Sequence, residues 1–172
     1  MRAFVAGATG YVGGEIVRLL AEREVETLAH VRPDSSSIEE HRATFARVGA
    51  ITDTTAWDEA AMASRLAAFE PHFVFACLGT TRARKKGADS PKNETYDAVD
   101  YGLTAMLLRG AAELTPSPRF VYLSSAGVRA NTGSAYLEAR WKLETELLES
   151  GVPFTIARPA IISGTDRPET RP

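Results

Sequence analysis

Three glycines near the start of the chain, Gly7, Gly10 and Gly13, have the spacing and the surroundings needed to hold a diphosphate. They follow a short apolar run and precede an amphipathic one, a pattern that predicts a strand, a tight turn and a helix. Gly7 permits the turn, Gly10 leaves space where a phosphate approaches the backbone, and Gly13 lets the helix pack closely on the sheet. Backbone N–H groups and the positive end of the helix would then face the phosphates. The predicted cofactor contacts in this stretch are Gly7, Thr9, Gly10, Tyr11, Val12 and Gly13. A turn with only a structural role is the alternative, and the flanking pattern favours dinucleotide binding.

Arg32 follows the second predicted strand, Val25–Val31, about 20 residues after the glycines, where such folds contact the adenosine ribose. A carboxylate at this position would bind the ribose of NAD, whereas a cation suits the additional phosphate of NADP. The hydroxyl groups of residues 35–37, all serines, add hydrogen-bond donors, while Asp34 argues against the assignment. Arg32 therefore predicts a preference for NADP(H) over NAD(H), and an ordinary surface arginine is the alternative.

Composition excludes several classes of protein. The chain has 172 residues, of which 44% are hydrophobic, enough for one domain with a sizeable core. No apolar run approaches the roughly 18 residues of a membrane-spanning helix, and the apolar run at the N-terminus is too short for a signal peptide. A net charge of −2 gives no overall attraction to nucleic acid or to an anionic membrane.

Cysteine and histidine usage adds two expectations. The single Cys77 excludes an internal disulfide and favours a reducing, cytoplasmic location. In its apolar surroundings it is interpreted as a small core residue rather than a reactive thiol. The three histidines are scattered without metal-ligand spacing, so no metal site is expected.

Predicted strands and helices alternate along the whole chain. After the first strand and helix, which ends near Leu20, they are Val25–Val31 (strand), Ile38–Ala46 (helix), Ala46–Ile51 (strand), Thr55–Glu70 (helix), Phe73–Leu78 (strand), Lys92–Leu114 (helix), Phe120–Leu123 (strand), Ala135–Ser150 (helix) and a strand within Phe154–Ile162. This alternation predicts an α/β fold with a doubly wound parallel sheet and helices on both faces. The expected strand order is 3-2-1-4-5-6.

The fourth strand ends at Gly79 and Thr80, on the edge of the sheet where such folds bind ligands. A basic run follows, consisting of Arg82, Arg84, Lys85 and Lys86. We interpret it as a solvated loop that could fold over the cofactor, with a localisation or nucleic-acid patch as the alternative.

Five motifs together give the chain a family resemblance. They are Gly7-Ala-Thr-Gly-Tyr-Val-Gly13, Cys77-Leu-Gly-Thr-Thr-Arg82, Leu123-Ser-Ser125, Tyr136-Leu-Glu-Ala-Arg140 and Arg158-Pro-Ala-Ile-Ile162. With these motifs the chain resembles the extended or atypical branch of the short-chain dehydrogenase/reductase superfamily, and it looks most similar to its small NmrA-like and Tat-interacting-protein-like members. The resemblance implies a Rossmann fold and hydride transfer between a nicotinamide dinucleotide and a small carbonyl or alcohol.

The resemblance also implies catalytic roles. Tyr136 matches the family's general acid or base, and Ser125 or Ser124 matches the hydroxyl that holds the substrate oxygen. The family has a lysine four residues after the tyrosine, which binds the nicotinamide ribose and lowers the pKa of the tyrosine; here that position is Arg140. Arg140 shares a helix face with Tyr136 and can supply positive charge and ribose contacts, but it cannot relay a proton by deprotonating. Lys142 lies roughly 120° away around the helix and is no substitute.

Further expected contacts come from the same resemblance. Leu78, Gly79 and Thr80 belong to the cofactor edge, and Pro159 and Ile162 match the segment that contacts the nicotinamide amide.

Two positions depart from the family pattern. The Gly-Asp that binds adenine is Gly49-Ala50 here, so adenine binding is expected to rely on backbone and on Ile51. A common asparagine of the fourth crossover helix is replaced by Asp100.

The resemblance leaves three functions open. They are an NADP-dependent oxidoreductase acting through Tyr136, Ser125 and Arg140, a non-catalytic NADP(H) sensor that binds a protein partner, and a flavin or quinone reductase on the same fold. Family members usually continue beyond this segment to complete the substrate pocket, so we expect residues 1–172 to form one cofactor domain whose substrate-binding C-terminal part is short or missing. The fourth and fifth crossover helices often pair in the superfamily, which would give a homodimer. The sequence does not name the substrate.

Overall fold

The computed structural model describes residues 1–80 and 95–164, which contain a six-stranded sheet. The strands are β1 (Arg2–Ala6), β2 (Glu26–His30), β3 (Ile51–Asp53), β4 (Phe73–Ala76), β5 (Arg119–Leu123) and β6 (Phe154–Ala157). All neighbouring pairs are parallel, and their order is β3-β2-β1-β4-β5-β6. The predicted doubly wound parallel sheet and its strand order are therefore confirmed.

Within residues 1–80 and 95–164, six helical segments connect these strands. They are α1 (Tyr11–Ala21), α2 (Ile38–Arg47), α3 (Glu59–Phe69), α4 (Tyr96–Leu103), α5 (Thr104–Ala112) and α6 (Ala135–Glu149). The α4 segment is π-helical and continues directly into α5. Side chains cap three of the helices, since Asp58, Thr95 and Ser134 accept hydrogen bonds from backbone N–H groups in the first turns of α3, α4 and α6.

Hydrophobic clusters cover both faces of the sheet, as the near-continuous apolar character of its strands requires. Phe4 and Val5 are adjacent and fully buried, yet they belong to different clusters because successive strand side chains point to opposite faces. One cluster joins Phe4 to side chains of α3, α5 and α6, and the other joins Val5 to α1 and α2. Within the described residues, no helix is both long enough and apolar enough to cross a membrane.

The third strand differs most from its prediction. It begins at Ile51 rather than at Ala46, because α2 continues to Arg47. Gly49 has a φ of +82° and its N–H donates to the Ala46 carbonyl at 3.1 Å, which is the usual way for a glycine to end a helix. Gly49 and Ala50 thus precede β3 instead of following it.

Smaller differences concern helix starts. The helix predicted from Thr55 begins only at Glu59, because Asp58 caps it. The helix predicted from Lys92 to Leu114 is described from Tyr96 onward. The basic run from Arg82 to Lys86 lies outside the described residues, so its predicted role as a loop over the cofactor stays a prediction.

Candidate functional site

The glycine turn between β1 and α1 is packed too tightly for any other residue at two of its positions. Gly7 has a φ of +78°, and a Cβ atom there would lie 2.5 Å from the Cys77 carbonyl oxygen. A Cβ atom on Gly13 would lie 2.1 Å from the Gly7 carbonyl oxygen. The Gly10 N–H donates to that same carbonyl at 3.0 Å. The turn is therefore fixed by contacts between backbone atoms, as the glycine spacing predicts.

The N-terminal end of α1 is suited to an anion. Gly10 occupies the N-cap position without a side chain to cap the helix, and the first turn of α1 contains no acidic residue. The first hydrogen bond of the helix runs from the Gly14 N–H to the Gly10 carbonyl at 2.8 Å. The preceding N–H groups have no carbonyl of their own helix to bind, and the helix dipole adds positive potential at this end.

A cleft of about 610 Å³ opens in front of this turn. It lies at the carboxyl ends of β1, β2 and β4, where the strand order reverses and where doubly wound folds bind ligands. Its lining consists of Gly7, Thr9, Gly10, His30, Val31, Arg32, Pro33, Asp34, Ser35, Ser36, Ser37, His41, Trp57, Cys77, Leu78, Gly79, Val99 and Leu103. This volume is within the range of small-molecule and cofactor sites.

Arg32 lines the cleft, as the NADP interpretation requires. Its side chain is 46% exposed, and its Nε atom lies 3.8 Å from the Asp34 carboxylate, so the ion pair is loose. The three serines that follow also line the cleft. His41 of α2 also lines this part of the cleft. It was not predicted as a cofactor contact, because the histidines were interpreted only as potential metal ligands.

Several predicted cofactor contacts lie outside the lining of this cleft. Ile51 is 51% exposed on the edge strand β3, and the lining on that side of the cleft is Trp57 instead. Thr80, Pro159 and Ile162 are likewise not part of the lining, and neither are Tyr11, Val12 and Gly13 from the turn itself. Trp57 was missed because it falls within the helix predicted from Thr55, whereas that helix begins only at Glu59.

Cys77 forms part of the cleft floor but has no sign of a reactive thiol. Burial raises its pKa to about 12, and the positive charge of Arg140 opposes this rise only in part. The thiol is therefore protonated at neutral pH and acts as a packing residue, in agreement with its interpretation from the sequence.

Tyr136 lies in the first turn of α6 and is half-buried. Its ring meets Tyr96 of α4 edge-on, with the ring centres 5.4 Å apart. The guanidinium carbon of Arg140 lies 4.7 Å from the centre of the Tyr136 ring, one helical turn away, as the spacing predicts. A cation–π contact of this kind holds positive charge beside the tyrosine.

Arg140 does not extend into the solvent, and its terminal nitrogens are engaged by the protein. Its side chain is only 6% exposed, and Nη2 donates to the buried Asp100 carboxylate at 2.9 Å. Nη1 donates to the Leu123 carbonyl, and the buried Nε has no hydrogen-bond partner. The terminal nitrogens of Arg140 thus contact protein groups, and its contact with a ribose stays a prediction.

Asp100 ties this arginine to the edge of the cleft. Burial raises the pKa of Asp100, and the adjacent Arg140 opposes that rise. Its second oxygen accepts the Thr80 N–H at 3.0 Å. A Cβ atom on Gly79 would lie 3.3 Å from Arg140 Nη2 and 3.4 Å from Asp100 Oδ1, so the ion pair lies directly behind the Gly79 backbone.

The two serines after β5 have different environments. Ser124 is buried and donates its hydroxyl hydrogen to Glu144, which also accepts hydrogen bonds from Arg158. Ser125 is partly exposed and makes only a long contact of 3.4 Å to the Ala126 carbonyl. Of the two candidates, Ser125 is the one whose hydroxyl could turn to a substrate.

Two further sequence-based expectations concern charged groups. Lys142 is exposed and pairs with Asp97, away from Tyr136, as its position on the helix predicts. Among the described residues, no group of three or more histidine, cysteine, aspartate or glutamate side chains could hold a metal ion.

A family model described as NAD(P)H-binding matches residues 7–172. Among curated proteins, the chain is 31% identical over 175 residues to "Protein fmp52, mitochondrial" of Aspergillus clavatus, covering 96% of this chain and 68% of that protein. It is 28% identical over 169 residues to "Protein FMP52, mitochondrial" of Candida albicans, covering 95% and 68%. The expectation of a cytoplasmic location is therefore wrong, since these relatives are named as mitochondrial, and a lone cysteine excludes a disulfide without specifying a compartment.

Solved structures share the fold. The Bordetella bronchiseptica enzyme WbmH in complex with NAD+ superposes with a TM-score of 0.74 at 20% identity, covering 98% of this chain and 58% of that one. A metagenomic short-chain oxidoreductase in complex with NADP gives a TM-score of 0.64 at 19% identity, covering 94% and 83%. Leucoanthocyanidin reductase from Vitis vinifera with NADPH gives 0.66 at 17% identity, covering 91% and 46%.

The cleft, the glycine turn and the strand order thus agree with the matched family, and the cofactor class they support is a nicotinamide dinucleotide. Because the match extends over nearly the whole length, the chain belongs to the NAD(P)H-binding family.

Proposed function

We propose that this protein is an NADP(H)-dependent oxidoreductase that reduces a small carbonyl compound or oxidises the corresponding alcohol. The observation that carries the proposal is the continuity of one cleft from the glycine turn to Arg32. The uncapped end of α1 would bind the diphosphate, and the Arg32 guanidinium with the hydroxyl groups of Ser35–Ser37 would bind the 2′-phosphate. These donors suit a cofactor that carries three phosphate groups.

The chemistry would take place beyond Gly79, on the side of Tyr136. A bound nicotinamide ring would supply or accept the hydride. The Tyr136 hydroxyl would donate a proton to the substrate oxygen during reduction, and Ser125 would hold that oxygen in place. The guanidinium of Arg140, 4.7 Å from the Tyr136 ring centre, would stabilise the phenolate that remains.

The arginine at position 140, where the family has a lysine, sets one condition on this mechanism. An arginine stays protonated, so Arg140 can offset charge but cannot return the proton to Tyr136. The half-buried Tyr136 would therefore recover its proton from solvent. The turnover of the enzyme would depend on an open path by which water reaches the Tyr136 hydroxyl.

The cofactor assignment is tested by calorimetric titration of NADPH and NADH into the wild-type protein and into Arg32→Ala. We expect NADPH to bind about 10- to 100-fold more tightly to the wild type, as a charged hydrogen bond to phosphate would give, and Arg32→Ala to remove the difference. Arg42→Ala is the matched control, because Arg42 is an exposed arginine of α2 that pairs with Glu39 and does not line the cleft. Equal affinities in the wild type would contradict the NADP preference.

The reaction is tested by following NADPH oxidation with carbonyl compounds, quinones and flavins. Loss of turnover in Tyr136→Phe supports the carbonyl reductase. Unchanged turnover of quinones or flavins in that variant supports a flavin or quinone reductase, which needs no tyrosine.

A non-catalytic NADP(H) sensor is the second candidate. The observation that favours it is that Arg140, which stands in place of the family's lysine, has both terminal nitrogens engaged by Asp100 and Leu123. No turnover in either protein, combined with tight NADPH binding, supports the sensor. The single domain over residues 1–172 and the homodimer remain predictions.

A further inference from the structure

The family pattern has an aspartate that binds adenine, and this chain has no acidic residue at the matching position. That position is Ala50, and Asp53, the nearby carboxylate of β3, is buried and occupied by the Thr55 N–H and by Arg65. Among the described lining residues the one carboxylate is Asp34, which faces Arg32. Apart from Asp34, the described lining therefore offers no carboxylate to a purine amino group.

We infer that Trp57 forms the wall that recognises the base, contacting the purine through its ring rather than through a hydrogen bond. The inference rests on the proposed function, since it concerns the adenosine half of the same cleft. Trp57 lines the cleft together with His30 and Val31, and in the chain it lies between β3 and the start of α3. Its Nε1 atom is shielded from solvent and has no hydrogen-bond partner, so the side-chain atoms that it exposes are carbons.

The loop that carries Trp57 is held at both ends. Asp53 accepts the Thr55 N–H at 3.0 Å, and Asp58 accepts the Ala61 N–H at 3.0 Å. The indole also meets the ring of His30 edge-on, with centres 4.7 Å apart, and His30 Nε2 bonds the Thr55 carbonyl at 2.8 Å. A ring fixed in advance loses little conformational entropy when a base packs against it.

Recognition of the base through contact with the Trp57 ring predicts that the protein binds different purines with similar affinity. Every purine presents an aromatic face, so stacking does not distinguish adenine from hypoxanthine, whereas an acceptor for the amino group would. We expect NADPH and its hypoxanthine analogue to bind the wild type within about threefold of each other. A preference of more than about 30-fold for NADPH would overturn the inference.

The contact itself can be detected by fluorescence, because the chain has two tryptophans. Trp141 lies on α6 and is not part of the cleft lining, so Trp141→Phe leaves Trp57 as the sole tryptophan and Trp57→Phe leaves Trp141. The probe is 2′,5′-ADP, which carries the base and the 2′-phosphate but no nicotinamide. We expect it to quench the emission of Trp141→Phe and to leave that of Trp57→Phe unchanged. Equal quenching in both variants, or in neither despite binding, would overturn the inference.

Affinity completes the test. Trp57→Ala should weaken 2′,5′-ADP binding about 5- to 100-fold, as loss of base stacking does, while Trp57→Phe, which keeps an aromatic ring, should recover most of it. Unfolding midpoints of the variants verify that each is folded, and a folded Trp57→Ala that binds like the wild type would overturn the inference. If the wild type ignores 2′,5′-ADP but binds ADP-ribose, the NADP preference fails, and ADP-ribose in the same variants then decides the role of Trp57.

Discussion

The two halves of the ligand-binding edge are built in different ways. The glycine turn is held by contacts between backbone atoms, with Gly13 and Gly7 too close for a side chain between them. The region around Tyr136 is held by ion pairs, namely the buried pair Asp100–Arg140 and the pair between buried Glu144 and exposed Arg158. The glycine turn has no room for an added side-chain atom. The region around Tyr136 is instead destabilised when one member of an ion pair is removed.

This difference has a functional meaning. A diphosphate is bound by N–H groups and a helix dipole, so the protein needs only a backbone of the right shape. A proton donor needs a controlled electrostatic environment, which side chains from several elements must supply. Here α6 supplies Tyr136, Arg140 and Glu144, while α4 supplies Asp100 and the segment after β6 supplies Arg158.

The largest effect is expected from Gly13→Ala, which tests whether backbone shape alone fixes the first half. The added Cβ atom would lie 2.1 Å from the Gly7 carbonyl oxygen, so the turn has to open. We expect a loss of about 4 kcal/mol or more in the free energy of unfolding, measured in urea, and loss of NADPH binding. Gly14→Ala is the control, because its Cβ atom would lie 3.4 Å from the Ala8 carbonyl oxygen, an ordinary contact. Near-normal NADPH binding by Gly13→Ala would refute the account of the turn.

The second half is tested by Arg140→Met, which removes the charge and keeps most of the volume. Asp100, whose side chain has no exposed surface, would be left as a buried carboxylate without its cation. We expect a loss of about 3 kcal/mol in the free energy of unfolding. Lys142→Met removes an exposed cation from the same helix and should cost well under about 1 kcal/mol.

A double variant sharpens this result. Adding Asp100→Asn to Arg140→Met removes the uncompensated charge, so it should recover much of the loss. Additive losses in the double variant would mean that the two side chains act independently, contrary to their 2.9 Å contact.

These predictions also separate what the sequence reveals from what it does not. The glycine turn was predictable because glycine spacing is a local signal, and the strand order was predictable because alternating strands and helices follow the doubly wound topology. The environment of Arg140 was not, since its partner Asp100 is 40 residues away and a substitution of lysine by arginine does not indicate which acceptor it will find. The start of β3 was predicted too early because Gly49 ends α2 through a positive φ that apolar periodicity does not detect.

A smaller effect is expected from Glu144→Gln, which examines the link between α6 and the segment after β6. Glu144 is buried and accepts hydrogen bonds from Ser124 and Arg158. Glutamine keeps the shape but loses the charge and one acceptor, so we expect a loss of about 2 kcal/mol in urea unfolding. Glu146→Gln, which weakens a more exposed pair with Arg109, should cost less than about 1 kcal/mol. Similar losses in both variants would show that burial of Glu144 adds nothing.

The smallest effect concerns pH and lies in the first half of the edge. Burial lowers the pKa of His30, so the folded protein keeps this side chain neutral where the unfolded chain, with a histidine pKa near 6.5, takes up a proton. The unfolded state therefore binds more protons as the pH falls below about 6.5, and stability is lost progressively until the pKa of the folded state is reached. Between pH 7.5 and 5.5 we expect a loss of about 1 kcal/mol from this group, measured as a fall in Tm. His30→Gln should flatten that slope, while His41→Gln, which leaves His30 in place, should retain it. An unchanged dependence of Tm on pH in His30→Gln would assign the acid sensitivity to another group. His30 would then not give the two halves different responses to pH.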